Sequence, residues 1–174
     1  MPGWHPLIVH FPIALLTFSL IVDLAALLAK RPAWHPVAYA LLVAGTVAAT
    51  AAVISGNAAA APYREIEVIG ELVGQHEDSG SLVLVLYLIV TLGRLPLQLR
   101  PPTSSWPLRS WLIVAAAGCV LLWRASALGG SLVFEHGVGV ARGVAQRRGQ
   151  GIADQTDTSQ VIIPPPSWSG PASP

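Results

Sequence analysis

Four apolar stretches, each long enough to cross a lipid bilayer, dominate this chain of 174 residues. A hydrocarbon core about 30 Å thick takes roughly 20 helical residues, so four crossings use most of the sequence. Inside that core every backbone N–H and C=O must find its partner within the protein, a demand a helix meets by itself. Composition agrees with this reading. Only 11% of residues are charged and 53% are hydrophobic, whereas about a quarter of a soluble domain is charged. There is too little polar surface to cover a water-soluble body. The expected fold is all-α: a four-helix transmembrane bundle, a short amphipathic helix between helices two and three, and a disordered C-terminal tail. Residues 1–142 form the transmembrane domain and residues 143–174 the Pro-rich polar tail.

The first stretch runs from Pro12 to Ala29 and is interrupted by Asp23. Pro12 suits a first helical turn, where its missing N–H has no partner to lose. Lys30, Arg31 and Pro32 stop the segment. A cleaved signal peptide carries positive charge ahead of its apolar run. Residues 1–11 hold no Lys or Arg, so an uncleaved helix is expected. The second stretch, Val37 to Ala61, has no charge and is rich in Ala44, Gly45, Ala48, Ala49, Ala52 and Gly56. Small residues at this spacing let helix backbones approach closely in lipid, so this helix is expected to be the most enclosed.

Residues 62–78 differ in kind. Ile66, Ile69, Val73 and His76 recur at helical spacing, with Glu65, Glu67, Glu71 and Glu77 between them. The pattern predicts a short amphipathic helix that lies on the membrane surface or extends the third helix. Interfacial helices are usually basic; this one is acidic, which favours packing over the bundle mouth. The third stretch, Ser79 to about Leu99, contains Arg94, expected to snorkel to the headgroups, and Pro96, expected to kink its end. The fourth runs from near Ser110 to about Phe134 with Arg124 inside it. The Pro-, Ser- and Gly-rich end shows no periodicity.

The loops after helices one and three hold Lys30, Arg31, Arg94, Arg100 and Arg109 without an acid. The opposite loop sets Arg64 among Glu65, Glu67, Glu71, Glu77 and Asp78. Basic loops stay in the cytoplasm, which places both termini outside it. Arg142, Arg147 and Arg148 in the tail count the other way. A lone cysteine, Cys119, excludes an intrachain disulfide. A formal net charge of +1 and no Lys/Arg cluster on the outer face speak against nucleic acid.

Three local patterns, HPLIVHFPIALL at the start, SGNAAA at the end of helix two and GGSLVFEHGVGV at the end of helix four, resemble the bacterial membrane proteins grouped as domain of unknown function 2231. The resemblance covers roughly residues 4–141. It implies a four-helix integral domain of a bacterial inner membrane and no proven activity. Relatives joined to cytochrome c-like domains hint at electron transfer and at a c-type cytochrome or other redox protein as partner. The chain has no C-x-x-C-H of its own, and its acidic segment with His76 departs from a plain hairpin.

His10 opens helix one, His76 precedes helix three and His136 closes helix four, so an up-and-down path gathers all three at one face. Two neutral imidazoles from facing helices bind haem iron axially, and a four-helix bundle is a common place for such a pocket. Gly137 and Gly139 beside His136, and Gly80 a turn from His76, leave room for a flat macrocycle. His10 then replaces either ligand or bonds a propionate. A second reading makes His10, His76 and His136 ligands of zinc or copper, with Glu135, Glu77 or Asp78 nearby. A third is interfacial anchoring, which suits Trp4, His5, Trp34, His35 and Tyr39. His5 and His10 are five apart and fall on different faces of any helix. These readings correspond to an electron-transfer or redox-accessory subunit with haem b near the outer face, a metal-handling protein, and a cofactor-free structural or assembly subunit. An enzyme is least favoured, since no activated nucleophile or acid/base pair can be assembled.

Asp23 lies 13 residues beyond His10 and Arg124 lies 12 before His136, which is about 18–20 Å in each case. If the histidines are level, these two charges are level. A buried charge in lipid calls for a partner, so an Asp23–Arg124 ion pair is expected.

Overall fold

In the computed structural model residues 4–100 and 106–139 are described, apart from the side chains of Glu67 and Val68. The expected tail, residues 143–174, lies outside them. The elements are α1 (His5–Ile8), α2 (His10–Leu28), α3 (His35–Ala60), α4 (Glu67–Leu99) and α5 (Trp106–Phe134), with single 3₁₀ turns at Pro32–Trp34 and Ala61–Tyr63. Four spans are long and apolar enough to cross a membrane: His5–Leu28, Pro32–Tyr63, Ile69–Leu99 and Trp106–Phe134.

The first span begins about two turns earlier than the apolar pattern implies. Pro6 lies in the first turn of α1, where its fixed φ helps. Pro12 lacks an N–H and its ring crowds the carbonyl of Ile8, four residues back. The helix therefore breaks at Val9 and resumes as α2. This upstream turn carries His5 into the bundle. At the far end of α2, Lys30 adopts a left-handed φ of 53°, and Arg31 N–H reaches back to Ala26 O at 2.8 Å. The acidic segment makes no separate helix. It forms the first turns of α4, which runs unbroken for 33 residues, about 50 Å. Pro96 falls inside this helix near its end.

The helices pack in a closed ring: α2 on α3 and α5, α4 on α3 and α5, with α1 laid against α2 and α3. Successive helices alternate in direction, which gives the bundle two unlike ends. One end joins α1, the close of α3, the start of α4 and the close of α5; we call it the histidine end. The other joins the close of α2, the start of α3, the close of α4 and the start of α5; we call it the basic end. The core between them includes Leu16, Leu42, Ala49, Val83, Tyr87, Val90, Ala115, Cys119 and Leu122.

Lipid tails are as apolar as these side chains, so close packing and interhelical hydrogen bonds hold such a bundle together. A Cβ on Gly45 would stand 2.6 Å from Leu16 Cδ2; only glycine lets α2 and α3 come this near. Ser19 Oγ donates to Ala38 O at 2.8 Å and Tyr39 Oη to Thr91 O at 3.1 Å. Thr46 and Thr91 hydroxyls meet at 2.9 Å, and Tyr87 Oη donates to Ala115 O at 3.2 Å. These bonds tie α2 to α3, α3 to α4 and α4 to α5.

Gly137 and Gly139 have φ of +66° and +79°. Gly137 N–H bonds Val133 O at 3.1 Å, the usual left-handed close of a helix. Gly139 N–H donates to Tyr63 Oη at 3.1 Å and so fastens the end of α5 beside the turn after α3. These glycines reverse the chain.

Candidate functional site

At the histidine end, His5 and His76 face each other. Their ring centroids lie 6.3 Å apart and their planes are inclined by 76°. Ser55 Oγ donates its proton to Ala52 O at 3.0 Å, which leaves the Ser55 oxygen to accept from His5 Nδ1 at 3.1 Å. His76 Nδ1 lies 3.1 Å from Ala125 O. A carbonyl only accepts, so Nδ1 carries the proton there too. In the neutral form of each ring Nε2 is then the nitrogen left to ligate a metal, with the bond at Nδ1 fixing ring orientation.

Two glycines seat these rings. A Cβ on Gly56 would stand 2.9 Å from His5 Cε1, and a Cβ on Gly129 would stand 3.0 Å from His76 Cε1. Each imidazole thus rests against a helix backbone. Both rings are half-buried, so the pair borders the mouth of the bundle. His5 comes from the first sequence pattern, Ser55 and Gly56 from the second, and Gly129 from the third. The three patterns that stand far apart in the chain meet at one place.

His10 and His136 stand elsewhere. His10 is exposed and bonds Pro6 O at 2.6 Å. Its ring lines an open apolar hollow of about 290 Å³ with Phe11, Ala14 and Leu15. His136 is half-buried and its Nδ1 lies 3.3 Å from Ser131 O, inside the turn that ends α5. Among the described residues no three of His, Cys, Asp and Glu come together as a metal-ligand set; His10, His76 and His136 do not form the expected cluster. His5, read as an interfacial anchor, is the residue that meets His76. The signal for it was present. A five-residue spacing sends one of His5 and His10 inward and the other out, and Pro12 pushes the helix start upstream.

At the basic end, Asp23 is 0% exposed and Arg94 is 1% exposed. Arg94 Nη1 donates to Asp23 Oδ2, and Arg94 Nη2 donates to Asp23 Oδ1 at 3.0 Å. His35 Nδ1, on a side chain 18% exposed, lies 2.8 Å from the same Oδ1. The guanidinium also sits 6.0 Å over the Tyr39 ring. A two-pronged guanidinium–carboxylate pair with a third donor leaves little of either charge facing lipid.

The partner of Asp23 is therefore Arg94, and the expected Asp23–Arg124 pair does not form. Arg124 is exposed. The reason is rotation about the helix axis, which a depth argument ignores. On α5 the inward row is Leu112, Ala115, Cys119, Leu122 and Ala125, and Arg124 lies off it. On α4 the inward row is Val83, Tyr87, Val90 and Arg94, steps of four, three and four. Arg94 continues that row instead of reaching for the headgroups. His35, read as an interfacial anchor, also holds Asp23.

A family model described as "Predicted membrane protein (DUF2231)" matches residues 2–142. No curated protein and no solved structure matches the chain.

Proposed function

We propose a function for a chain that belongs to the predicted membrane protein family DUF2231: it is a small electron-transfer or redox-accessory subunit that holds haem b between His5 and His76. The facing of these two rings carries the reading. The two rings come from different helices and lie 6.3 Å apart between centroids, so both imidazoles would be available to hold one group between α1 and α4. The donor set fits as well, because both rings carry the proton on Nδ1 and keep Nε2 as the ligating atom. Haem, when bound, would supply one-electron chemistry.

The chain's own part is positional. Ser55 and the Ala125 carbonyl set the rotation of the two rings, and Gly56 and Gly129 let them lie against α3 and α5. Their place at the bundle mouth suits exchange with a soluble redox protein such as a c-type cytochrome. His10 and His136 serve the ends of α1 and α5 and are not ligands in this proposal.

The visible spectrum of protein purified from haem-replete cells tests the reading. The reduced protein is expected to show the sharp α-band of six-coordinate iron. His5→Ala and His76→Ala should each abolish it, while His10→Ala, His35→Ala and His136→Ala should leave it. A colourless preparation, or a band indifferent to His76, overturns the proposal. The two imidazoles would then be interhelical ties in a cofactor-free subunit.

The loop charges complete the proposal with an orientation. In the structure Arg94 is consumed inside the bundle, yet Lys30, Arg31, Arg100 and Arg109 still give the basic end four cations without an acid. The basic end is cytoplasmic in a bacterial inner membrane, and the imidazole pair lies outside. A reporter active only in the cytoplasm should be active when inserted at Thr103 and silent when fused after Arg148. The reverse pattern inverts the topology.

A further inference from the structure

Arg124 is exposed on the outer face of α5, among the apolar side chains Val120 and Trp123, and a charge on such a face calls for a counter-charge. It lies 10 residues before Phe134, about 15 Å short of the nearer end of α5. Helical side chains lean toward the helix N-terminus, so Arg124 leans away from that end. Snorkelling is the usual escape for such a residue, and here it runs in the unfavourable direction.

A complementary charge sits at the same depth on the neighbouring helix. The His76 Nδ1 to Ala125 O bond of 3.1 Å sets residue 76 of α4 level with residue 125 of α5. The two helices are antiparallel. Asp78, two residues on, and Arg124, one residue back, are then within about 3 Å of each other in depth. Asp78 is exposed as well. Among the described residues neither has an ion-pair partner; Asp23 holds Arg94 and His35, and Glu77 holds Arg64 at 2.6 Å.

We propose that the outer face of α4 and α5 is a twofold interface between two copies of this chain, with Asp78 of each copy paired to Arg124 of the other. An axis along the membrane normal keeps every residue at its own depth and brings α4 of one copy against α5 of its partner. The same antiparallel register then sets Val85 opposite Ala117 and Ile89 opposite Ile113, all exposed in the single chain. Ala117 lets the backbones come close in lipid. A second copy supplies the acid and the base at one level, and a symmetric contact makes the pair twice.

The test is made in lipid bilayers with full-length protein in which Cys119→Ser removes the native thiol. A copy carrying Asp78→Cys and a copy carrying Arg124→Cys should crosslink to each other. Crosslinks between two copies of either single variant should be weaker. Arg124→Asp and Asp78→Arg should each weaken dimerisation about tenfold, since both symmetry-related pairs are lost at once, and the double exchange should restore it. Single-step photobleaching of the unmodified chain, a missing mixed crosslink, or failure of the exchange to restore pairing overturns the proposal.

Discussion

Asp23→Ala is expected to unfold the bundle more readily than any other single truncation in its interior, by about 3–5 kcal/mol, with Arg94→Ala close behind. Each change strands a charge that is at most 1% exposed. The loss comes from the partner left behind and not from the attraction alone, so the paired change behaves differently. Asp23→Leu with Arg94→Met removes both charges and keeps the volume. Substitutions of this kind are often neutral, and the double variant should recover most of the stability. His35→Ala removes one bond to a carboxylate that keeps its guanidinium, for a loss of about 2 kcal/mol. Unfolding midpoints in detergent, measured as a double-mutant cycle, decide the matter. A cycle pairing Asp23 with Arg124 should be additive. Additivity between Asp23 and Arg94 would refute the arrangement at the basic end.

Gly129→Ala and Gly56→Ala should have the second largest effects, and they should act on the histidine end specifically. A Cβ at either place would stand 2.9–3.0 Å from an imidazole carbon, tighter than nearly all real carbon contacts, so each ring is expected to be displaced from its hydrogen bond. At Gly129 the displacement breaks the His76 bond to Ala125 O; at Gly56 it breaks the His5 bond to Ser55. Overpacking of this size costs about 1–3 kcal/mol. The bundle should therefore remain folded, while the α-band attributed to the His5–His76 pair should disappear. Gly130→Ala is the control, since nothing lies within 4 Å of a Cβ there. Equal effects from Gly129→Ala and Gly130→Ala would mean that the glycine does not seat the ring. Retention of the band in Gly129→Ala would remove the structural basis for His76 as a ligand.

Much of the architecture was legible in the order of residues. Four apolar stretches of sufficient length, with charge confined almost entirely to the loops, leave few solutions in a bilayer. An up-and-down ring follows from the short connections. The small residues of α3 likewise announced a helix that others would approach closely, and Gly45 against Leu16 is that approach. The charge of the loops and the absence of a second cysteine are properties of composition, and they needed no coordinates.

Which residues meet across the bundle was decided by tertiary structure. Depth can be counted along a sequence at 1.5 Å per residue, and depth suggested Arg124 for Asp23 and His136 for His76. Contact also requires the right rotation of each helix, and one residue turns the side chain by about 100°. That single step separates Arg124, exposed on the outer face of α5, from Ala125, which is buried and whose carbonyl receives His76. The break that Pro12 imposes at Val9 had a comparable effect, because it added a turn that delivers His5 to Ser55 and His76. The sequence alone determined a membrane bundle with two unlike ends, since apolar length and loop charge act locally and additively. The partners of Asp23 and His76 depended on four helix rotations being fixed together, and only packing fixes those.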